Sequence, residues 1–123
     1  MNNLNVLLLD DEVGIHDIIK NYLDGLYTVH SAYTYDEAVN LLNEKGEDFF
    51  KIFICDLYLK EERSGLEFIV KHLDGCKTIV ISGYLIPAIM DELMDNSVFA
   101  AFTKPIDIDS LLISMNSIIR CEK

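Results

Sequence analysis

Residues 6–12 read Val6-Leu7-Leu8-Leu9-Asp10-Asp11-Glu12, four apolar residues ended abruptly by charge. A short continuous apolar run suits a strand covered on both faces of a parallel sheet; a half-exposed strand would alternate. The pattern returns in Ile52-Phe53-Ile54-Cys55, closed by Asp56, and in Phe99-Ala100-Ala101-Phe102-Thr103, closed by Lys104 and Pro105. Charged groups at strand ends of an α/β sheet face the crevice where such folds hold ligands. Asp10, Asp11, Asp56 and Lys104 are therefore candidate site residues.

Outward from these runs, five apolar segments alternate with helical patterns. Strands are predicted at about 4–9, 27–31, 51–56, 77–82 and 98–103. Ile15, Ile18, Ile19, Tyr22, Leu23 and Leu26 read as one apolar helical stripe, and Ile108, Leu111, Leu112, Met115, Ile118 and Ile119 as another. Thr34 with Glu37 and Ser64 with Glu67 fit the capping box, in which each side chain satisfies an orphan backbone amide. Pro87 suits the first turn of the fourth helix, and Gly25, Gly46 and Gly75 fall where the first three helices should stop. Regular βα alternation implies right-handed crossovers and a parallel sheet.

The chain has 123 residues, half of them hydrophobic, enough for one domain with a single substantial core and too apolar for disorder. We expect residues 1–123 to form that one domain. No apolar run reaches the length that spans a bilayer, and no charged stretch precedes an apolar core at the N-terminus, so a soluble cytoplasmic protein without membrane insertion is expected. A net charge of −11 argues against direct nucleic-acid binding and favours a partner with a basic surface. Cys55, Cys76 and Cys121 show no metal-binding spacing and read as unpaired reduced thiols.

If the first and third strands are neighbours, Asp10, Asp11 and Asp56 converge. Carboxylates ~4 Å apart repel by about 4 kcal/mol at an effective dielectric of ~20, so the cluster either raises a pKa or recruits a cation. Hard oxygen donors suit Mg²⁺. Acids after the first strand alone would also suit a plain helix N-terminus; Asp56 and Lys104 at matching strand ends point beyond that reading.

Leu9-Asp10-Asp11-Glu12, Cys55-Asp56-Leu57, Ile81-Ser82-Gly83-Tyr84 and Thr103-Lys104-Pro105-Ile106, in this order over nearly the whole chain, resemble the receiver domain of two-component response regulators, in particular chemotaxis-type single-domain receivers. The resemblance implies a (βα)5 flavodoxin-like three-layer sandwich with strand order 2-1-3-4-5. It implies that Asp56 accepts a phosphoryl group from a sensor histidine kinase or histidine phosphotransfer protein. Asp11 and Asp56 would hold Mg²⁺, with Asp10 helping through water and the Tyr58 carbonyl as a further ligand. Ser82 and Lys104 would contact phosphoryl oxygens, and Pro105 would follow a cis bond. Such a domain is a signalling phosphoacceptor, not an enzyme with its own substrate. Its output would reach a downstream protein through the face formed by the fourth helix, fifth strand and fifth helix.

The pattern also breaks. The family's aromatic switch position, three before the lysine, is Ala101, and Phe102 faces the other side of the sheet. Tyr84 or Phe99 would then carry part of the switch, or the response is muted. Lys60 stands where a proline is common, Gly65 comes one residue late, and Lys60-Glu61-Glu62-Arg63 reads as a solvated charge run. His16, His30 and His72 are scattered, which argues against a histidine site. A degenerate receiver that binds a partner without phosphorylation is one rival. A haloacid-dehalogenase-type phosphohydrolase is another, but it needs Asp-x-Asp after the first strand, and the aspartates here are adjacent.

Overall fold

The computed structural model describes residues 4–121; the outermost residues of the expected domain lie outside the described ones. Five strands, β1 (Asn5–Leu9), β2 (Thr28–Ala32), β3 (Ile52–Asp56), β4 (Thr78–Ser82) and β5 (Ala100–Thr103), alternate with α1 (Val13–Leu23), α2 (Tyr35–Lys45), α3 (Gly65–His72), α4 (Pro87–Asp95) and α5 (Ile108–Cys121). The sheet is parallel in the order β2-β1-β3-β4-β5, the expected flavodoxin-like arrangement.

Alternation along the strands divides the core in two. Val6, Leu8, Ile52, Ile54, Ile79 and Ile81 pack with Ile19 and Leu23 of α1 and Leu111, Met115 and Ile118 of α5. Leu7, Leu9, Phe53, Cys55 and Val80 face Ala38 of α2, Phe68 and Ile69 of α3, and Leu93 of α4. Every residue of β1, β3 and β4 is buried, which is why these strands read as unbroken apolar runs. The edge strand β2 buries only Ala32 fully. Cys55 is buried, Cys76 and Cys121 are exposed, and all three are free thiols.

The α1 stripe is narrower than its sequence suggests. Its buried residues are His16, Ile19 and Leu23, while Ile18, Tyr22 and Leu26 are exposed. A helix lying on one side of a sheet buries one line of residues three to four apart, so six apolar positions cannot all face inward. The α5 stripe holds: Leu111, Met115 and Ile118 are buried, with Ile108, Leu112 and Ile119 packed at their margin.

The helix ends follow local chemistry. Thr34 Oγ1 accepts the Glu37 N–H at 3.1 Å, and the Glu37 carboxylate accepts the Tyr33 N–H at 2.7 Å. Ser64 Oγ accepts the Glu67 N–H at 3.1 Å, but Glu67 turns to Lys71, 3.1 Å away, so only half of that capping box forms. Pro87 opens α4. Gly46 ends α2 with φ of 86°, a left-handed conformation that glycine adopts without penalty. Gly75 does not stop α3, which ends at His72 with Leu73 as its cap. Gly75 instead begins a 3-10 turn leading into β4.

Candidate functional site at the strand ends

Register brings the charged strand ends together. Leu9 lies opposite Cys55, so Asp10 stands level with Asp56. Asp56 lies opposite Ile81, and Ser82 opposite Thr103, which sets Lys104 on the same rim. Its N–H donates to the Ser82 carbonyl at 2.7 Å, and the Lys104–Pro105 bond is cis. Oxygens of Asp10, Asp11 and Asp56 all lie within 4.8 Å of one another. Asp11 and Asp56 border a cavity of about 540 Å³ whose walls also include Tyr58, Gly83, Tyr84 and Lys104, while Asp10 lies fully buried beside it.

Asp56 sits at the end of β3 because α3 begins directly behind it. A Cβ on Gly65 would lie 1.7 Å from the Asp56 carbonyl oxygen, so only glycine lets the helix start this close. Asp56 Oδ1 accepts the Tyr58 N–H at 3.1 Å, and Oδ2 accepts from Lys104 Nζ at 3.0 Å. Lys104 also reaches Glu12 at 2.6 Å and Asp10 Oδ2 at 3.0 Å. One ammonium thus holds three carboxylates. Asp10 is fully buried; its Oδ1 accepts the Glu12 N–H at 2.8 Å. Its Oδ2 contacts Lys104 as an ion pair only and has no aligned hydrogen bond.

The electrostatics follow from this crowding. Burial pushes the Asp10 carboxyl up to about 6, although the Glu12 N–H and Lys104 pull the other way. Burial also raises Asp56, against the pull of the Tyr58 N–H and Lys104. Burial opposes charge on Lys104, but its contacts with Glu12, Asp10 and Asp56 outweigh that and hold its pKa above the ordinary lysine value. Three hard oxygen ligands, with one buried carboxylate oxygen short of a hydrogen bond, are a donor set suited to a small divalent cation that also keeps water. Among the described residues, no other group of three acidic, His or Cys side chains meets in this way.

Ser82 is at the expected strand end, but its hydroxyl donates to the Tyr84 carbonyl at 2.8 Å. Tyr84 stacks on Tyr58, ring centroids 4.9 Å apart, beside the cavity. Phe99 cannot take part in a switch at this rim. It precedes β5 at the opposite end of the sheet, its N–H bound to the Thr78 and Gly75 carbonyls, in the wall of a different cavity with Lys51, Cys76 and Ile118. Ala101 packs on the α2–α4 side and Phe102 on the α1–α5 side, as strand alternation requires. The Lys60–Arg63 segment is more tied than a solvated charge run. The Lys60 N–H donates to Asp11 Oδ2 at 3.0 Å, Glu61 accepts the Tyr35 N–H at 3.0 Å, and Arg63 pairs with Asp36 at 2.9 Å.

Sequence reasoning missed two residues here. Glu12, the third partner of Lys104, was visible only as one more acid after Asp11. His16 is fully buried, and its Nε2 lies 2.7 Å from the Asp10 carbonyl. The three histidines do not cluster: His30 bonds Asn5 and His72 packs on Phe68 and Tyr35.

The response regulator receiver domain pattern matches residues 6–116. The chain belongs to the response regulator receiver family. No curated protein matches the receiver. A CheY-like response regulator receiver domain protein from Methanospirillum hungatei JF-1 is similar to it over 98% of both chains, at 25% identity and a TM-score of 0.84. The receiver domain of the Francisella response regulator 1452 shares the fold at 22% identity and a TM-score of 0.83, with 98% of this chain and 100% of that one covered. A Burkholderia pseudomallei response regulator with a phosphorylated aspartic acid and a calcium ion aligns with 98% of this chain and 72% of its own, at 23% identity and a TM-score of 0.77.

Proposed function

We propose that this receiver accepts a phosphoryl group on Asp56 from a phosphohistidine of a sensor histidine kinase or a histidine phosphotransfer protein. The convergence of Asp10, Asp11 and Asp56 with Lys104 carries this reading. The phosphorylated aspartate and the calcium ion of the similarly folded Burkholderia protein support it. An Asp56 carboxylate oxygen forms a bond to phosphorus while the bond from phosphorus to the imidazole nitrogen breaks. That nitrogen keeps the electron pair and takes a proton from solvent. Lys104, freed from one carboxylate oxygen as it becomes ester-like, pairs with a phosphoryl oxygen. Ser82 would leave the Tyr84 carbonyl to donate to another.

Asp11 and Asp56 would hold Mg²⁺ directly, with Asp10 through water and the Tyr58 carbonyl as a further oxygen. The ion would offset charge on the phosphoryl group. In this reading the domain spans residues 1–123, works in the cytoplasm and has no substrate to turn over. Its output is a change in affinity for a downstream protein, through the face of α4, β5 and α5.

One observation favours a second reading. Ala101 leaves the family's switch position without an aromatic ring, which fits a module that binds its partner without phosphorylation. Intact-mass analysis after incubation with acetyl phosphate, with and without Mg²⁺, separates the two. A single Mg²⁺-dependent adduct, lost in Asp56→Asn, is expected. A folded wild type that takes no adduct would sink phosphoacceptor function and leave the second reading.

A further inference from the structure

His16 is a buried polar residue that phosphoryl transfer does not use. Its Nε2 lies 2.7 Å from the Asp10 carbonyl oxygen. A carbonyl only accepts, so Nε2 carries the proton and Nδ1 accepts from the Ser31 hydroxyl, also 2.7 Å away. The ring lies against Tyr33, centroids 4.2 Å apart. One imidazole on α1 therefore joins the end of β1 to β2. The Asp10 N–H donates to the Ala32 carbonyl at 3.1 Å, so β2 holds Asp10 on both sides, once directly and once through Ser31 and His16.

The carbonyl that His16 grips belongs to the peptide joining Asp10 to Asp11. We propose that His16 is a positioning residue for the cation site: by fixing the plane of this peptide it sets the spacing of the two carboxylates on either side. This rests on the cation-binding part of the function proposed above. Partners one bond removed from a metal ligand typically matter 10–100-fold in metal affinity. His16 acts one step further out, through the backbone, which places its expected effect at about 10-fold.

The test uses His16→Gln, His16→Asn and Ser31→Ala, with Mg²⁺ affinity measured by calorimetry and fold stability by urea denaturation. The glutamine amide reaches about as far as Nε2 and can still donate to Asp10; the asparagine amide stops near Nδ1. Both lose the ring contact with Tyr33, so both should lose similar stability. Expected is Mg²⁺ binding about 10-fold weaker in His16→Asn and near wild type in His16→Gln. A folded His16→Asn variant with wild-type affinity, or equal weakening in both variants, would overturn the proposal. If His16→Asn does not fold, Ser31→Ala decides. It frees the ring to turn and should weaken Mg²⁺ binding by a smaller factor, but have no further effect in combination with His16→Gln. Unchanged affinity in Ser31→Ala would then overturn the positioning role. A wild type that binds no Mg²⁺ overturns the parent reading instead, so the two failures are distinguishable.

Discussion

Replacing Asp10 by Asn should make the metal-free receiver more stable at neutral pH, not less. The Asp10 carboxyl titrates near 3.8 in the unfolded chain and at about 6 when folded. Between those values the native protein holds a proton that the unfolded chain has released, so stability falls as pH rises through this window. A shift of about two units corresponds to about 3 kcal/mol, all of it lost above pH ~6 and regained below pH ~4. Asn keeps the shape without the charge. Its gain at pH 7.5 should be about 1–3 kcal/mol, raising the urea midpoint by about 1 M, given typical urea slopes for small domains. Below the unfolded value the two proteins should converge, because Asp10 is then protonated in both states. Mg²⁺ should reverse the order: at 1,000 times its dissociation constant the ion stabilises the wild type by about 4.1 kcal/mol, more than the gain, while the variant, lacking the Asp10 charge, holds the ion weakly. Urea denaturation followed by circular dichroism from pH 3 to pH 8 reads all three. An Asn variant no more stable than wild type at pH 7.5, or one whose gain persists at pH 3, would refute this reasoning.

Gly65→Ala should lower stability by about 3 kcal/mol and abolish Asp56 phosphorylation, because the new Cβ meets the Asp56 carbonyl; a thermal melt and intact mass check both. Lys104→Met should tighten Mg²⁺ binding, since the ammonium that competes for Asp10 and Asp56 is gone, while acetyl phosphate no longer labels Asp56. Weaker Mg²⁺ binding by calorimetry would show that Lys104 organises the carboxylates rather than competing with the ion. Tyr84→Ala removes the ring stacked on Tyr58 and should speed hydrolysis of the acyl phosphate several-fold, followed by mass spectrometry over time. An unchanged lifetime would deny the ring pair any role in shielding the phosphoryl group.

Sequence revealed the sheet where burial leaves no ambiguity. β1, β3 and β4 are covered on both faces, and their unbroken apolar runs end within a residue of where the strands end. The edge strands were harder. Tyr27 reads as strand but donates its hydroxyl to Asn116 at 2.7 Å, and Val98 and Phe99 read as strand but precede β5, which begins at Ala100. The carboxylates and Lys104 were legible because charge at the end of an apolar run has few structural reasons to be there. His16 was not. It occupies a core position on α1, and only the fold reveals that the Asp10 carbonyl and Ser31 wait on either side of its ring. In loop 60–63 the side chains stay largely at the surface, but the charges of Glu61 and Arg63, which look free in sequence, find Tyr35 and Asp36 once α2 is in place.

The segment from Leu57 to Ser64 begins and ends at nearly one point, because the Gly65 N–H donates to the Leu57 carbonyl at 3.0 Å; Leu57 and Leu59 anchor its first half in the core. Its tip at Glu62 is exposed, and extra chain spliced between Glu62 and Arg63 would lengthen a loop already clasped at its base. The entropic cost of such a graft grows only with the logarithm of its length. A peptide epitope or an environment-sensitive dye could therefore be installed there, a few residues from Asp56 along the chain and separated from it by the clasp. The receiver would then serve as a scaffold for a reporter of its own acceptor site.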